Sequence, residues 1–212
     1  MVELLAVIAI MSVLLTMGAI GLGGITGGKS VGSAVANTEA LFAEARSIAT
    51  GKATRARVLV KVGDPADKEN YLRRILIAYE EVDPVTSAPI QDSWILSSRG
   101  YLLPDKVYFS KTYSRADNNA GLNEMTLAAS NTVHQSYAGE YAYYEFTSGG
   151  ICTTPGASFI VGSGVLRPGT DEPIVSGSSK RDFGGFVIWR NGNTSLFRSP
   201  EQMQISDSST TF

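Results

Sequence analysis

Between Glu3 and Lys29 the chain has no charged residue, and Leu4 to Ile25 is an apolar run interrupted only by Ser12 and Thr16. As a helix, a run of about 20 such residues is long enough to cross the roughly 30 Å hydrocarbon core of a bilayer. The expectation is a membrane-spanning helix over about residues 4–25, built on Leu4, Leu5, Val7, Ile8, Ile10, Val13, Leu14, Leu15, Ile20 and Leu22. A cleaved secretory signal is the competing reading, and Ala34-Val35-Ala36 offers it a small-residue cleavage site. Against it stand a run longer than the usual apolar core of about 7 to 15 residues and the lack of a basic stretch in front. Charge does not orient the span, because only Lys29 follows it closely.

Beyond the glycines, Val31, Ala34, Val35, Thr38, Leu41, Phe42, Ala45, Ile48 and Ala49 recur at the spacing of one helical face, with Glu39, Glu44 and Arg46 off that stripe. Gly51 and Lys52 read as the stop. One helix from Val2 to Thr50 would be roughly 70 Å long at 1.5 Å per residue. Its middle, residues 18–32, is glycine-rich; each glycine costs a helix in water about 1 kcal/mol relative to alanine, so this stretch can melt. Gly23, Gly24, Gly27 and Gly28 supply that flexibility, and Gly23 with Gly27 or Gly24 with Gly28 forms the small-residue pairs that let helices approach closely.

The same stretch contains GGITGGKS, residues 23–30, which fits a phosphate-binding loop at Gly23, Gly28, Lys29 and Ser30. Such a loop joins a short buried strand to a helix, whereas the preceding run has membrane length. The one imitation of the second nucleotide motif, Ile75 to Glu81, has Tyr79 at the strand-to-acid junction. Nucleotide binding is therefore kept only as a remote alternative.

Glu3 sits at the edge of the apolar run. A carboxylate there either lies among headgroups or has a partner, and position alone does not choose.

Val2-Glu3-Leu4-Leu5-Ala6-Val7-Ile8-Ala9-Ile10 resembles the N-terminal segment of type IV pilins and type II secretion pseudopilins. More weakly, Leu41 to Ala49 followed by Lys52 to Val60 is similar to minor pseudopilins of the H and FimT-like kind, and the chain's size and C-terminal region to the Verru/Chthon cassette pseudopilin-like proteins. The resemblance implies an α+β, pilin-like fold in which a long N-terminal hydrophobic helix packs on an antiparallel β-sheet domain. It implies that Glu3 pairs with the N-terminal amine of a neighbouring subunit during assembly. It further implies processing and methylation by a prepilin peptidase, an assembly platform, and other pilin-like subunits as partners. Storage would be in the inner membrane, single-pass with the C-terminal domain periplasmic, and the filament extracytoplasmic after assembly. Met1 stands where that family has leucine or isoleucine, so the resemblance also implies a start further upstream or a truncation.

The division expected is residues 1–50 as the N-terminal helix and 51–212 as a β-rich globular domain. Alternation from Arg55 to Val62 marks a strand, and β-rich runs follow at Leu72 to Val82, Ser93 to Leu103, Lys106 to Tyr113, Glu140 to Thr147, Ser158 to Val165 and Phe183 to Arg198. Asn191-Gly192 is the clearest hairpin turn, since both residues tolerate positive φ. Chemistry is sparse. With one cysteine, Cys152, and one histidine, His134, the chain assembles neither an intrachain disulfide nor a Cys/His zinc cluster. Eighteen basic against twenty acidic residues supply no global field for nucleic acid. The acidic groups Glu80-Glu81-Asp83 and Asp171-Glu172 read as solvated strand ends, and 117–124 as a turn-rich loop; its oxygen ligands leave calcium as the alternative there, although the spacing is not an EF-hand. Lys52, Arg55, Arg57 and Lys61 form a basic stretch without interleaved aromatics, which favours a solvated strand face. No catalytic residue, cofactor, metal set or nucleic-acid partner is expected. The function expected is that of a filament subunit acting by polymerisation. The alternative is an anchored or secreted β-rich binding domain that does not polymerise.

Overall fold

A computed structural model describes residues 30–118, 127–128, 137, 139–175 and 182–205. Among these, one α-helix, α1 at residues 30–52, is followed by ten strands. They are β1 (Ala56–Lys61), β2 (Arg74–Val82), β3 (Pro89–Leu96), β4 (Tyr101–Leu102), β5 (Val107–Phe109), β6 (Leu127–Ala128), β7 (Tyr141–Phe146), β8 (Ser158–Ser163), β9 (Phe183–Ile188) and β10 (Thr194–Leu196). A 3-10 turn at Pro200–Met203 closes the described chain.

Two antiparallel sheets result. The first has the order β3-β2-β1-β7-β6, with β4 also paired to β2, and the second β10-β9-β8-β5. Strand β1 forms because its alternation satisfies two faces at once. Ala56, Val58 and Val60 enter the main core, while Leu59 joins a second cluster with Leu76, Ala78, Trp94 and Tyr141 on the opposite face. In register, Val58 lies between Ile77 of β2 and Tyr144 of β7. The chain crosses from the first sheet to the second over a tight turn bridged at Phe146 and Cys152. There the Cys152 N–H donates to the Arg190 carbonyl, while the Thr153 N–H donates to the Glu145 carbonyl, both at 3.0 Å.

Helix α1 completes the core between the sheets. Of the residues that share one face by spacing, Val31, Ala34, Val35, Thr38, Phe42, Ala45 and Ala49 are buried, and Leu41 and Ile48 are partly buried against the same core. Thr38 is tolerated there because its hydroxyl donates to the Ala34 carbonyl at 2.8 Å. Phe42 meets Tyr144 and Phe146 of β7 edge-on at 5.0 and 6.3 Å, and Phe159 of β8 and Phe186 of β9 at 5.9 and 5.1 Å. Edge-on contacts suit the ring quadrupoles and add to the area that a phenylalanine buries.

This architecture corrects the expected fold class. Instead of a long N-terminal hydrophobic helix laid on one sheet, the described residues hold a helix of about 34 Å and two sheets, and are mostly β. The expected transmembrane helix, and with it the single-pass inner-membrane placement, is corrected too: among the described residues no helix is long and apolar enough to cross a membrane. The physical reason lies in α1 itself, whose outward positions Asn37, Glu39, Glu44, Arg46 and Lys52 suit one face to core and the other to water. The segment 4–25 and the glycine-rich part 18–29 lie outside the described residues.

The helix end also differs from the reading that stopped it at Gly51. Gly51 is helical, and the left-handed residue is Ala53, with φ 53°. The Thr54 N–H returns to the Ala49 carbonyl at 3.1 Å and the Ala53 N–H to the Thr50 carbonyl at 3.4 Å, the paired bonds that close a helix C-terminus.

Candidate functional site

The outward face of α1 carries Gly32, Ala36, Ala40, Ala43 and Ser47, all exposed and small, at intervals of three or four residues. Beside it stands the loop from β9 to β10, and between them runs an open groove of about 850 Å³ whose walls include Ala40, Ala43, Arg46, Asn193 and Thr194. A smaller groove of about 320 Å³ extends it toward the N-terminal end of α1, sharing Ala36 and Glu39 and adding Gly184, Leu196 and Phe197.

Glycine sets the groove's geometry. Gly192 follows Asn191 in the β9–β10 loop with φ 76°, as the Asn-Gly pair predicts, and the Asn191 side chain accepts from the Asn193 N–H at 3.0 Å. The loop is longer than a two-residue turn, running from Trp189 to Asn193. Arg46 lies against both Gly192 and Gly150 and donates from Nη1 to Asn193 Oδ1 at 2.9 Å. The Thr194 hydroxyl donates to the Glu39 carboxylate. These bonds tie strand β10 to the helix, so the polar atoms nearest the loop are already used and the free wall is the small-residue ridge.

Asp182, on the smaller groove, is the one strained electrostatic element there. Burial raises its carboxyl above the ordinary aspartate value, and its Oδ2 is buried with no hydrogen-bond partner. The larger groove sets one hydroxyl against one carboxylate, Thr194 on Glu39. Burial pushes the Cys152 thiol up, and its Sγ donates to the Thr154 carbonyl, so it is not a poised thiolate. Among the described residues there is no group of three or more His, Cys, Asp or Glu able to hold a metal. The small-residue ridge along the groove suits close approach of another surface.

Glu3, the apolar positions from Leu4 to Leu22, and Gly23, Gly24, Gly27 and Gly28 lie outside the described residues, as do Lys29 and His134. Of the phosphate-loop pattern only Ser30 is described, as the first residue of α1. Ile75 to Glu81 lies within β2 of an antiparallel sheet, where Glu80 is buried and ion-paired to Arg55. That pairing corrects the reading of Glu80 as a solvated strand end. Asp117 and Asn118 are described, with the Asn118 N–H donating to the Gly156 carbonyl at 2.7 Å, and the rest of that loop is not.

The basic stretch has a setting that was not read from sequence. The Arg57 guanidinium lies 4.0 Å from the Trp94 ring centre and 4.3 Å from that of Tyr143, and its Nε donates to Glu145 at 2.6 Å. Lys52 lies 4.4 Å over Tyr79, and Lys61 pairs with Asp67 at 2.6 Å. The aromatics absent from the stretch itself arrive from β2, β3 and β7. Comparison with protein-family models, with curated proteins and with solved structures gives no match, so the resemblance to pilins and secretion pseudopilins gains no support from relatives.

Proposed function

We propose that this protein is a structural subunit of a pilin-like filament, acting by polymerisation and not by catalysis. The observation that carries the reading is α1, one face locked among four aromatic rings and the other a ridge of small residues beside an open groove. A helix fixed on one side and smooth on the other presents a surface to which a second helix can come close. The resemblance of Val2 to Ile10 to the pilin N-terminal segment supplies the chemical context, with Glu3 pairing to a neighbouring copy's amine.

The test is filament incorporation. Ala40→Arg should leave the fold intact, because Ala40 is exposed, yet reduce recovery in sheared filaments at least tenfold when expressed with its native assembly machinery. Glu3→Ala should do the same. Normal incorporation of both variants would overturn the reading in favour of a β-rich binding domain that does not polymerise.

A further inference from the structure

Lys61 ends β1 with its side chain largely withdrawn from water. Only 10% of that side chain is exposed, its backbone pairs with Tyr141 of β7, and Gly139 lies so close that an added Cβ would sit 3.2 Å from Lys61 Cε. A lysine held this way needs a partner. Asp67 supplies it, since Lys61 Nζ donates to Asp67 Oδ2 at 2.6 Å.

The same carboxylate holds a side-chain amide. Asn70 Nδ2 donates to Oδ1 and to Oδ2 of Asp67, both at 2.9 Å, so Lys61 Nζ and Asn70 Nδ2 meet on one oxygen. Arg74 Nε donates to the Asn70 Oδ1 atom at 2.9 Å. The backbone fixes this order: the Asn70 and Tyr71 N–H groups donate to the Asp67 carbonyl at 3.1 and 2.8 Å, and the Leu72 N–H donates to the Lys61 carbonyl at 2.9 Å. An amine, a carboxylate, and an amide whose carbonyl rests on a guanidinium supply a nucleophile, a proton carrier, an electrophile and a seat for a developing oxyanion.

We propose that Lys61 and Asn70 join in an intramolecular amide bond, formed once, after folding. The ion pair is the resting state: burial raises the Asp67 carboxyl, but the bonds from Lys61 and Asn70 outweigh it and hold the group below the ordinary aspartate value. Proton transfer from the Lys61 ammonium to Asp67 frees the Nζ lone pair, which attacks Asn70 Cγ and sends the carbonyl electrons to Oδ1, beside Arg74. Asp67 then passes its proton to Nδ2 and takes one from Nζ, and the Cγ–Nδ2 bond breaks as Oδ1 recovers its double bond. Ammonia leaves and carries off the Asp67 proton as ammonium, so the step balances without a co-reactant. The first transfer is uphill, which a single turnover with a departing product tolerates. Asp67, 27% exposed, leaves ammonia a way out. The bond closes the connection from β1 to β2 on itself and is independent of the filament reading.

Peptide mapping of the full-length protein, kept folded in mild non-ionic detergent at neutral pH and then denatured and cut with trypsin, tests it. Trypsin cuts after lysine and arginine, so cleavage at Lys61 should fail, and residues 58–68 should stay joined to 69–73 as one peptide with amino ends at both Val58 and Glu69. Its mass should fall below that of the two peptides together by one ammonia. Lys61→Arg should give separate peptides, and Asp67→Asn should slow formation of the branched one at least about a hundredfold. Separate, unmodified peptides from the parent protein would overturn the proposal whether or not the variants fold. So would cleavage at Lys61 with ammonia missing from 69–73 alone, which means cyclisation at Asn70, or a loss of water within 58–68, which places the bond at Asp67. Undiminished branching in Asp67→Asn would overturn it as well.

Discussion

Replacing Gly192 with alanine tests whether the β9–β10 loop is held against α1 by backbone proximity. Two effects act together. At φ 76° a side chain meets the left-handed penalty, about 1–2 kcal/mol for an L-residue. The added Cβ would also lie 2.7 Å from Arg46 Cδ and 2.7 Å from the Gly150 carbonyl oxygen. The arginine methylene can move, but the carbonyl belongs to the turn linking the two sheets, so relief requires a backbone shift. Overpacking of this kind costs about 1–3 kcal/mol, which brings the total to about 2–5 kcal/mol. Gly169 provides the control: its φ is 82°, yet nothing lies within 4 Å of its added Cβ. Gly169→Ala should therefore show only the dihedral penalty. Urea unfolding followed by tryptophan fluorescence should move the midpoint of Gly192→Ala further down than that of Gly169→Ala, by about 0.5–1.5 M for an m value near 2 kcal/mol/M. Equal shifts for the two variants would refute the argument, because only their surroundings differ.

Ala53→Gly should stabilise the fold by about 1 kcal/mol, since the left-handed cap of α1 is occupied by a residue with a Cβ; a rise in Tm of about 2–4 °C checks it. Asp182→Asn should raise stability at pH 7, because burial disfavours the charged carboxylate and its Oδ2 has no hydrogen-bond partner. Because the folded carboxyl titrates above its unfolded value, its destabilising effect is absent below the unfolded pKa and sets in as pH rises through the folded one. The difference between variant and parent should therefore vanish in acid, as urea titrations from pH 3 to 8 would reveal.

Local patterns in the sequence were legible where one period governed them. The stripe from Val31 to Ala49 obeys the helical repeat, and the buried face of α1 follows it except at Leu41 and Ile48, which are partly buried against the core. Ala56, Val58 and Val60 follow the strand repeat, and Asn191-Gly192 names its turn by its own chemistry. What escaped was non-local. Pairing of β1 with β7 joins Ala56 to Phe146 and Lys61 to Tyr141, and no local window contains both partners. The partition into two sheets follows from such pairings, which is why a helix on a single sheet was expected. The same distance hid the setting of Arg57, whose rings come from Trp94 and Tyr143. The end of α1 was misread for a different reason: glycine is the preferred left-handed cap, and here alanine takes the role one residue after the helix stops. In the groove, the wall of Ala40 and Ala43 was implicit in the stripe's complement, but the opposing wall comes from the distant residues Asn193 and Thr194.

The turn at Cys152 and Thr153 has a consequence for how the molecule opens. Neighbouring amides there bond to different sides, one to Arg190 and the next to Glu145, so a separation of the sheets must break one of two adjacent backbone bonds. Phe42 spans the same division from the helix side, with rings of β7 on one flank and rings of β8 and β9 on the other. Partial unfolding generally proceeds through units that can detach while the remainder holds together. Joined at these two places, the sheets share one aromatic core, and loss of either exposes rings of both, so hydrogen exchange should find the two sheets opening together.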